Sequence, residues 1–289
     1  MNVKAEGLAL HYGSHLALKN INFELKENKI YGLLGRNGAG KTSLLSLLAS
    51  FREPTSGNLT INGETPFENA AIMPNVAFLY DKNYKDESDK IIDLLKNLQN
   101  YRPNFDMEYA EYLADRFKLD KKKPIKEYSK GMQSSLNVII GLASRAPLTI
   151  LDEVYLGMDA PAREIFYKEI LKDQERHPRM IILSTHLVSE MDYLFDEVIF
   201  LDKGSILLQE ETETLSSKGV TIIGNKEMVD NFVHSKQIIN KEQLGSTLSV
   251  TIYGEISDEE IETALRQGLE IQPVSLQDLF VHLTEEEEV

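Results

Sequence analysis

Residues 35–42 read GRNGAGKT, between a compact apolar run, KIYGLL at 29–34, and TSLLSLLAS, whose leucines 44, 45 and 48 share one helical face. A glycine-rich turn that joins a buried strand to a helix is the strongest constraint in the chain, because each of its parts has a physical task. Gly35, Arg36, Asn37, Gly38, Ala39 and Gly40 form a backbone that curls so its N–H groups converge on phosphate oxygens. The new helix points its positive end at the same place. Lys41 brings a mobile cation to β- and γ-phosphates, Thr42 offers a hydroxyl to Mg²⁺, and Ser43 puts a first-turn hydroxyl or N–H near the α-phosphate. The competing reading is a glycine-rich turn that holds no ligand, and the strand and helix on its flanks weigh against it.

The turn predicts an α/β fold. NVAFL at 75–79, LTIL at 148–151, MIIL at 180–183 and EVIFL at 197–201 are, like KIYGLL, short apolar runs suited to parallel strands covered on both faces. The segment Ile21–Leu25 alternates apolar and polar residues, and GNLTING lies between glycines; the two read as antiparallel strands at a sheet edge. Between about 82 and 145 helical spacing dominates, in IIDLLKNL and DMEYAEYLADRFKL, which reads as a helical insertion or as ordinary covering helices. The domain at 1–210 is expected to end at a hairpin turn, DKGS, and the strand ILLQEE. A small C-terminal α+β domain at 211–289 follows, with strands at VTIIG and TLSVTIYG and capping boxes at SDEE and SLQD. The acidic end, Glu285 to Glu288, reads as a solvated tail.

Composition removes several classes. The 289 residues carry 31 Lys and Arg against 46 Asp and Glu, a net charge of −15, which opposes nucleic-acid binding and a polybasic grip on lipid. With no cysteine there is no disulfide framework or thiolate metal site. The start has no signal-peptide pattern, and no apolar run approaches the ~20 residues that cross a bilayer. A cytoplasmic chain is expected.

A second carboxylate site narrows the chemistry. LTILDE places Asp152 and Glu153 at the end of an apolar strand, where neighbours point to opposite faces. Asp152 is suited to binding Mg²⁺ directly or through water, and Glu153 to polarising an attacking water as general base; a solvated strand end is the plainer alternative.

Four further motifs follow in order: HYG at 11–13, YSKGMQSSL at 128–136, GMDAP at 157–161 and STH at 184–186. Together with the glycine-rich loop, over about residues 1–210, they resemble the ATP-binding cassette (ABC) ATPases, a P-loop NTPase fold with an antiparallel β subdomain and a helical insertion subdomain. The resemblance implies ATP and Mg²⁺ as ligands, Tyr12 as the adenine platform, Ser129 and Gly131 as the signature that meets phosphate, Asp159 as the acid of the D-loop, and His186 as the switch histidine. Catalysis would then fall to Glu153, His186 and Lys41. Read alone, Tyr12 is also a core-packed aromatic, the Ser129 turn an ordinary N-cap and His186 a structural histidine. The signature implies a dimer, with an identical chain or a paralogue, in which each copy closes on the other's nucleotide. It also implies a membrane-spanning permease as partner, which would hold the chain at the inner face of the membrane. The stretches 101–119 and 275–284 look like those of ATPases paired with ABC-2-type export permeases, a group in Bacillus and Staphylococcus handling antimicrobial peptides, lantibiotics and envelope stress.

Departures stand beside the matches. Asp81 occupies the place where the family presents a glutamine that senses Mg²⁺ and γ-phosphate; a shorter acid there can still bind Mg²⁺, directly or through water, but adds negative charge near phosphate. Lys130 and Met132 replace the glycines of the signature, and Val154 replaces the proline after Glu153. None removes a catalytic group, so an active ATPase subunit of an exporter is expected. The alternatives are a soluble ABC ATPase acting on nucleic acid or ribosome, disfavoured by charge and by the short separation of Lys41 and Ser129, and a signalling module that only senses ATP.

Overall fold

The computed structural model describes residues 1–82, 84–254 and 256–284; the acidic end, 285–288, lies outside the described residues. In chain order the first elements are β1 (Asn2–Tyr12), β2 (His15–Lys26), β3 (Ile30–Leu34), α1 (Lys41–Leu48), β4 (Ser56–Ile61) and β5 (Val76–Leu79). Then come α2 (Ile91–Tyr101), α3 (Met107–Arg116), α4 (Lys130–Ala143), β6 (Leu148–Asp152), α5 (Ala160–Arg176) and β7 (Met180–Thr185). The remainder comprises α6 (Val188–Met191), β8 (Glu197–Asp202), β9 (Ser205–Glu211), α7 (Thr212–Lys218), β10 (Gly219–Asn225), α8 (Lys226–Val233), β11 (Ile238–Leu244), β12 (Thr247–Tyr253), α9 (Asp258–Arg266), β13 (Glu270–Pro273) and α10 (Leu276–Thr284). The chain divides into two compact units, Met1–His186 with Ile199–Ile206, and Leu187–Val198 with Leu207–Val289.

The antiparallel strands do not edge the main sheet. Together with β1, a strand the sequence reading did not contain, they make a sheet of their own in the order β2-β1-β4. Its register pairs Val3 with Leu25 and with Ile61, so one face buries Val3, Ala5, Leu8 and Leu10. The sheet bends where Gly57, at φ +79°, lies against the Gly7 carbonyl, so close that a Cβ would sit 2.2 Å from that oxygen. After β2 the chain turns at 27–28 and enters β3, where the buried Tyr31 hydroxyl accepts from Lys26 N–H at 2.7 Å.

The apolar runs form the expected sheet, in the order β5-β6-β7-β3-β8-β9. Its parallel pairs β5–β6, β6–β7 and β3–β7 are buried almost throughout. Lys203 and Gly204, both at positive φ, turn β8 into β9 as DKGS predicts. Helix α1 buries Leu44, Leu45, Leu47 and Leu48 in one cluster with residues of both sheets, which fixes where its N-terminus points. Of the helices between 82 and 145, α4 packs on β5 and β6 and is buried along most of its length, so it covers the sheet, whereas α2 and α3 bury only one face each.

The second unit holds β10-α8-β11-β12-α9-β13, with sheet order β11-β12-β10-β13 and antiparallel pairing. This is the split βαβ arrangement of ferredoxin-like folds. Ile222, Val250, Ile252, Val229, Ala264 and Leu269 make its core. Ser257 and Glu260 form the complete capping box at the start of α9. Ser275 accepts from Asp278 N–H at 3.0 Å, and its hydroxyl donates to the Asp278 carboxylate, so the second box closes through side chains.

Candidate functional site

Register brings the motifs together. β6, β7 and β3 are neighbours, with Asp152 opposite Ser184 and Leu34 opposite Thr185, so the segments leaving their C-terminal ends lie side by side. In open parallel sheets this edge is where ligands bind. Gly40 begins α1 at φ 108°, with Ala17 O and Leu18 Cδ2 each 3.0 Å from where a Cβ would stand; its freedom to be left-handed starts the helix there. Gly35 packs as tightly, 2.6 Å from Leu201 O by the same measure.

Tyr12, Arg36, Asn37, Gly38, Gly40, Lys41, Thr42, Ser43 and Glu153 line one cleft of about 290 Å³. Gly35 and Ala39 are buried behind it. Lys41 is 6% exposed; its ammonium donates to Gly35 O at 2.7 Å and lies 3.4 Å from Glu153 Oε1. The same Oε1 is 3.0 Å from His186 Nδ1. Thr42 Oγ1 donates to Asp152 Oδ2 at 2.8 Å. Burial pushes the Asp152 carboxyl above its ordinary range, against the pull of the Thr42 hydroxyl and the Lys41 charge. Mg²⁺ takes hard oxygens, one or two from protein and the rest from phosphate and water, and the Thr42–Asp152 pair is a donor set of that kind. At the rim, the Arg52 guanidinium stacks 4.6 Å from the centre of the Tyr12 ring.

The remaining predicted residues form a second group. Ser129 caps α4 by accepting from Met132 N–H at 3.3 Å. Gly131 meets the loop before α5: a Cβ there would stand 2.6 Å from Gly157 O. Asp159 caps α5, accepting from Ala162 N–H at 2.9 Å. Asp81 pairs with Lys130, so these two departures from the expected motif meet in one chain. Asp81 is thereby held at the start of α4, just past the end of β5, where Leu79 pairs with Leu151, the residue before Asp152. Asn137 fixes the same loop from further along α4, donating to Tyr80 O at 3.1 Å and accepting from the Tyr84 hydroxyl at 2.6 Å. Burial raises the Tyr84 hydroxyl to about 12, which keeps it a donor.

The family model described as ABC transporter matches residues 18–155. An uncharacterised ABC transporter ATP-binding protein of Methanocaldococcus jannaschii is 30% identical over 273 residues, covering 93% of this chain and 96% of that protein. The chain belongs to the ABC transporter ATP-binding proteins. It is also 28% identical over 226 residues to the lantibiotic transport ATP-binding protein SrtF of Streptococcus pyogenes, covering 72% of this chain and 90% of that one. Among solved structures, an ATP-binding cassette whose dimer is bound to ADP and Pi in a post-hydrolysis state overlays with a TM-score of 0.61 at 18% identity, over 73% of this chain and 98% of that chain. The chain is thus the nucleotide-binding, ATP-hydrolysing subunit of an ABC transporter.

In this ATP-binding subunit, three polar residues near the site escaped the sequence reading. Asn137 lies inside an apolar helix, and a buried amide there was a signal that it holds something. Tyr84 hid in a polar loop. Tyr155, inside VYLGM, carries a hydroxyl into an apolar stretch; it is 3% exposed and 2.7 Å from Thr185 Oγ1.

Proposed function

We propose that this subunit powers export by binding MgATP in the cleft around Lys41 and hydrolysing it after pairing with a second ATPase subunit, identical or paralogous. The observation that carries the reading is the meeting of Lys41, Glu153 and His186 within 3.4 Å beside the bonded Thr42–Asp152 pair. Tyr12 offers its ring to adenine, and the backbone N–H groups of 36–43 take the phosphates. Lys41 neutralises the β/γ bridge, leaving its Gly35 contact as phosphate enters. Thr42 and Asp152 would hold Mg²⁺, which when bound supplies charge neutralisation for the phosphates. Glu153 accepts the proton of the attacking water, and His186, bonded to the same carboxylate, keeps it aimed at that water. Ser129 and Gly131 stand exposed or half-buried at the start of α4, as a surface that closes on a partner's nucleotide requires. Asp159 and Asp81 belong to the loops that pack against that surface.

A separate membrane permease is the proposed partner, placing the subunit at the inner face of the cell membrane. Among the described residues no helix is long and apolar enough to cross a membrane. A contiguous exposed aromatic group supports a docking face: Phe51 is 59% exposed and packs with Phe78 and Tyr80, and Tyr101 is 84% exposed on the same groove as Phe51 and Phe78. Export, with peptides as the cargo class, is supported by the relative named for lantibiotic transport.

Glu153→Gln tests the reading. The variant is expected to bind MgATP as the wild type does, to lose turnover by about a hundredfold or more, and to elute as a dimer with ATP. Wild-type turnover by this variant would remove Glu153 from the chemistry.

A further inference from the structure

Glu153 occupies a backbone conformation that its own chemistry does not favour, at φ 50°. A non-glycine residue persists in the left-handed region only where its surroundings over-determine it. The proline that motifs of this type place next would stiffen the turn through its ring, but here the position is Val154. The ties lie elsewhere. Glu153 N–H donates to Ser184 O at 3.2 Å, and Leu156 N–H donates to Glu153 O at 3.1 Å. Tyr155 then reaches back to the end of β7: its hydroxyl is 2.7 Å from Thr185 Oγ1 and accepts from His186 N–H at 3.4 Å. Its ring is buried, with its centre 6.4 Å from that of the imidazole. The segment 153–155 is therefore fastened to His186 twice, by the Tyr155 hydroxyl at its backbone N–H and by the Glu153 carboxylate at its imidazole.

We infer that Tyr155 is a positioning residue for hydrolysis: its hydroxyl, shared by Thr185 and the His186 N–H, sets the imidazole against Glu153 and keeps the carboxylate in the geometry that takes a proton from water. Tyr155 touches neither nucleotide nor water in this role, which rests on the reading of Glu153 and His186 given above. The hydroxyl is separable from the ring, because phenylalanine keeps the volume and the packing.

Tyr155→Phe in the full chain is expected to lower kcat about tenfold while KM for ATP stays within about twofold, since only a transition-state geometry is disturbed. Thr185→Val, which keeps the β-branched shape, is expected to reproduce the loss, and the double variant to add little to either single one. Wild-type kcat in Tyr155→Phe would overturn the assignment. So would a fall in kcat that comes with a raised KM for ATP and a lowered melting temperature, which marks a structural hydroxyl. The Glu153→Gln measurement separates the two levels: an inactive Glu153→Gln with a fully active Tyr155→Phe removes Tyr155 alone, whereas an active Glu153→Gln removes the reading beneath it.

Discussion

At the scale of single residues, the site concentrates charge in places where burial opposes it. Asp152 is buried, and desolvation raises its pKa above the unfolded value. A carboxyl whose folded pKa is raised binds more protons folded than unfolded between the two values, so it weakens the fold as pH rises through that window and remains a cost at neutral pH. Asp152→Asn is therefore expected to melt higher than the wild type at pH 7 without nucleotide, with the gain shrinking as pH falls below the raised value. Adding MgATP should then stabilise the variant far less than the wild type. Equal melting temperatures at pH 7 would mean that burial is fully offset. Asp81 and Lys130 illustrate the opposite case, a half-exposed pair of the kind worth at most ~1 kcal/mol to folding. Its expected effect is on turnover. Asp81→Lys faces Lys130 with a like charge and is expected to reduce ATPase rate at unchanged melting temperature, and adding Lys130→Asp should recover part of it. No recovery in the exchanged pair would show that the two residues act separately.

At the scale of elements, a buried polar joint ties α5 to the segments after α4 and before β7. Asp173 on α5 is 3% exposed and binds both Arg145, after α4, and Arg179, before β7; Arg145 also reaches Asp106 at 3.1 Å. Burial lowers Arg179 to about 10, still charged at neutral pH. Asp173→Ala would leave a buried guanidinium without its carboxylate, and a loss of ~3–5 kcal/mol is expected in denaturant unfolding; a loss below ~1 kcal/mol would show that water or Asp106 replaces the partner. Elements like these also mark where sequence is legible. The strands behind Leu34, Asp152 and Thr185 stood out because a strand covered on both faces is a continuous apolar run. Strand β1 did not, because its buried positions slip phase at Gly7, breaking the alternation that would reveal it. β11 was hidden by Lys241 and Glu242, which a strand at the margin of a sheet carries without cost. The nucleotide motifs were readable because phosphate chemistry fixes residue types at fixed spacing. Tyr155 and Asn137 were not, since what they hold is distant in sequence and only the fold brings it near.

At the scale of the whole molecule, the two units have separate hydrophobic cores, one around α1 and one between the ferredoxin-like sheet and its helices. Two cores predict unfolding that departs from a single two-state transition. In calorimetry of the intact chain, MgATP is expected to raise the transition of the unit holding Lys41 and Asp152 and to leave the other nearly unmoved. A single transition moved as a whole by nucleotide would show that the cores melt together. The boundary itself is not one cut. The chain leaves the first unit after His186, returns for Ile199–Ile206, and leaves again. During synthesis, then, the first unit lacks its last strand segment until residue 206 is made, while 187–198 must wait for everything from 207 onward. The second body is begun before the first is finished, so between residues 187 and 206 the growing chain carries both incomplete, and an early stop within that span leaves neither whole.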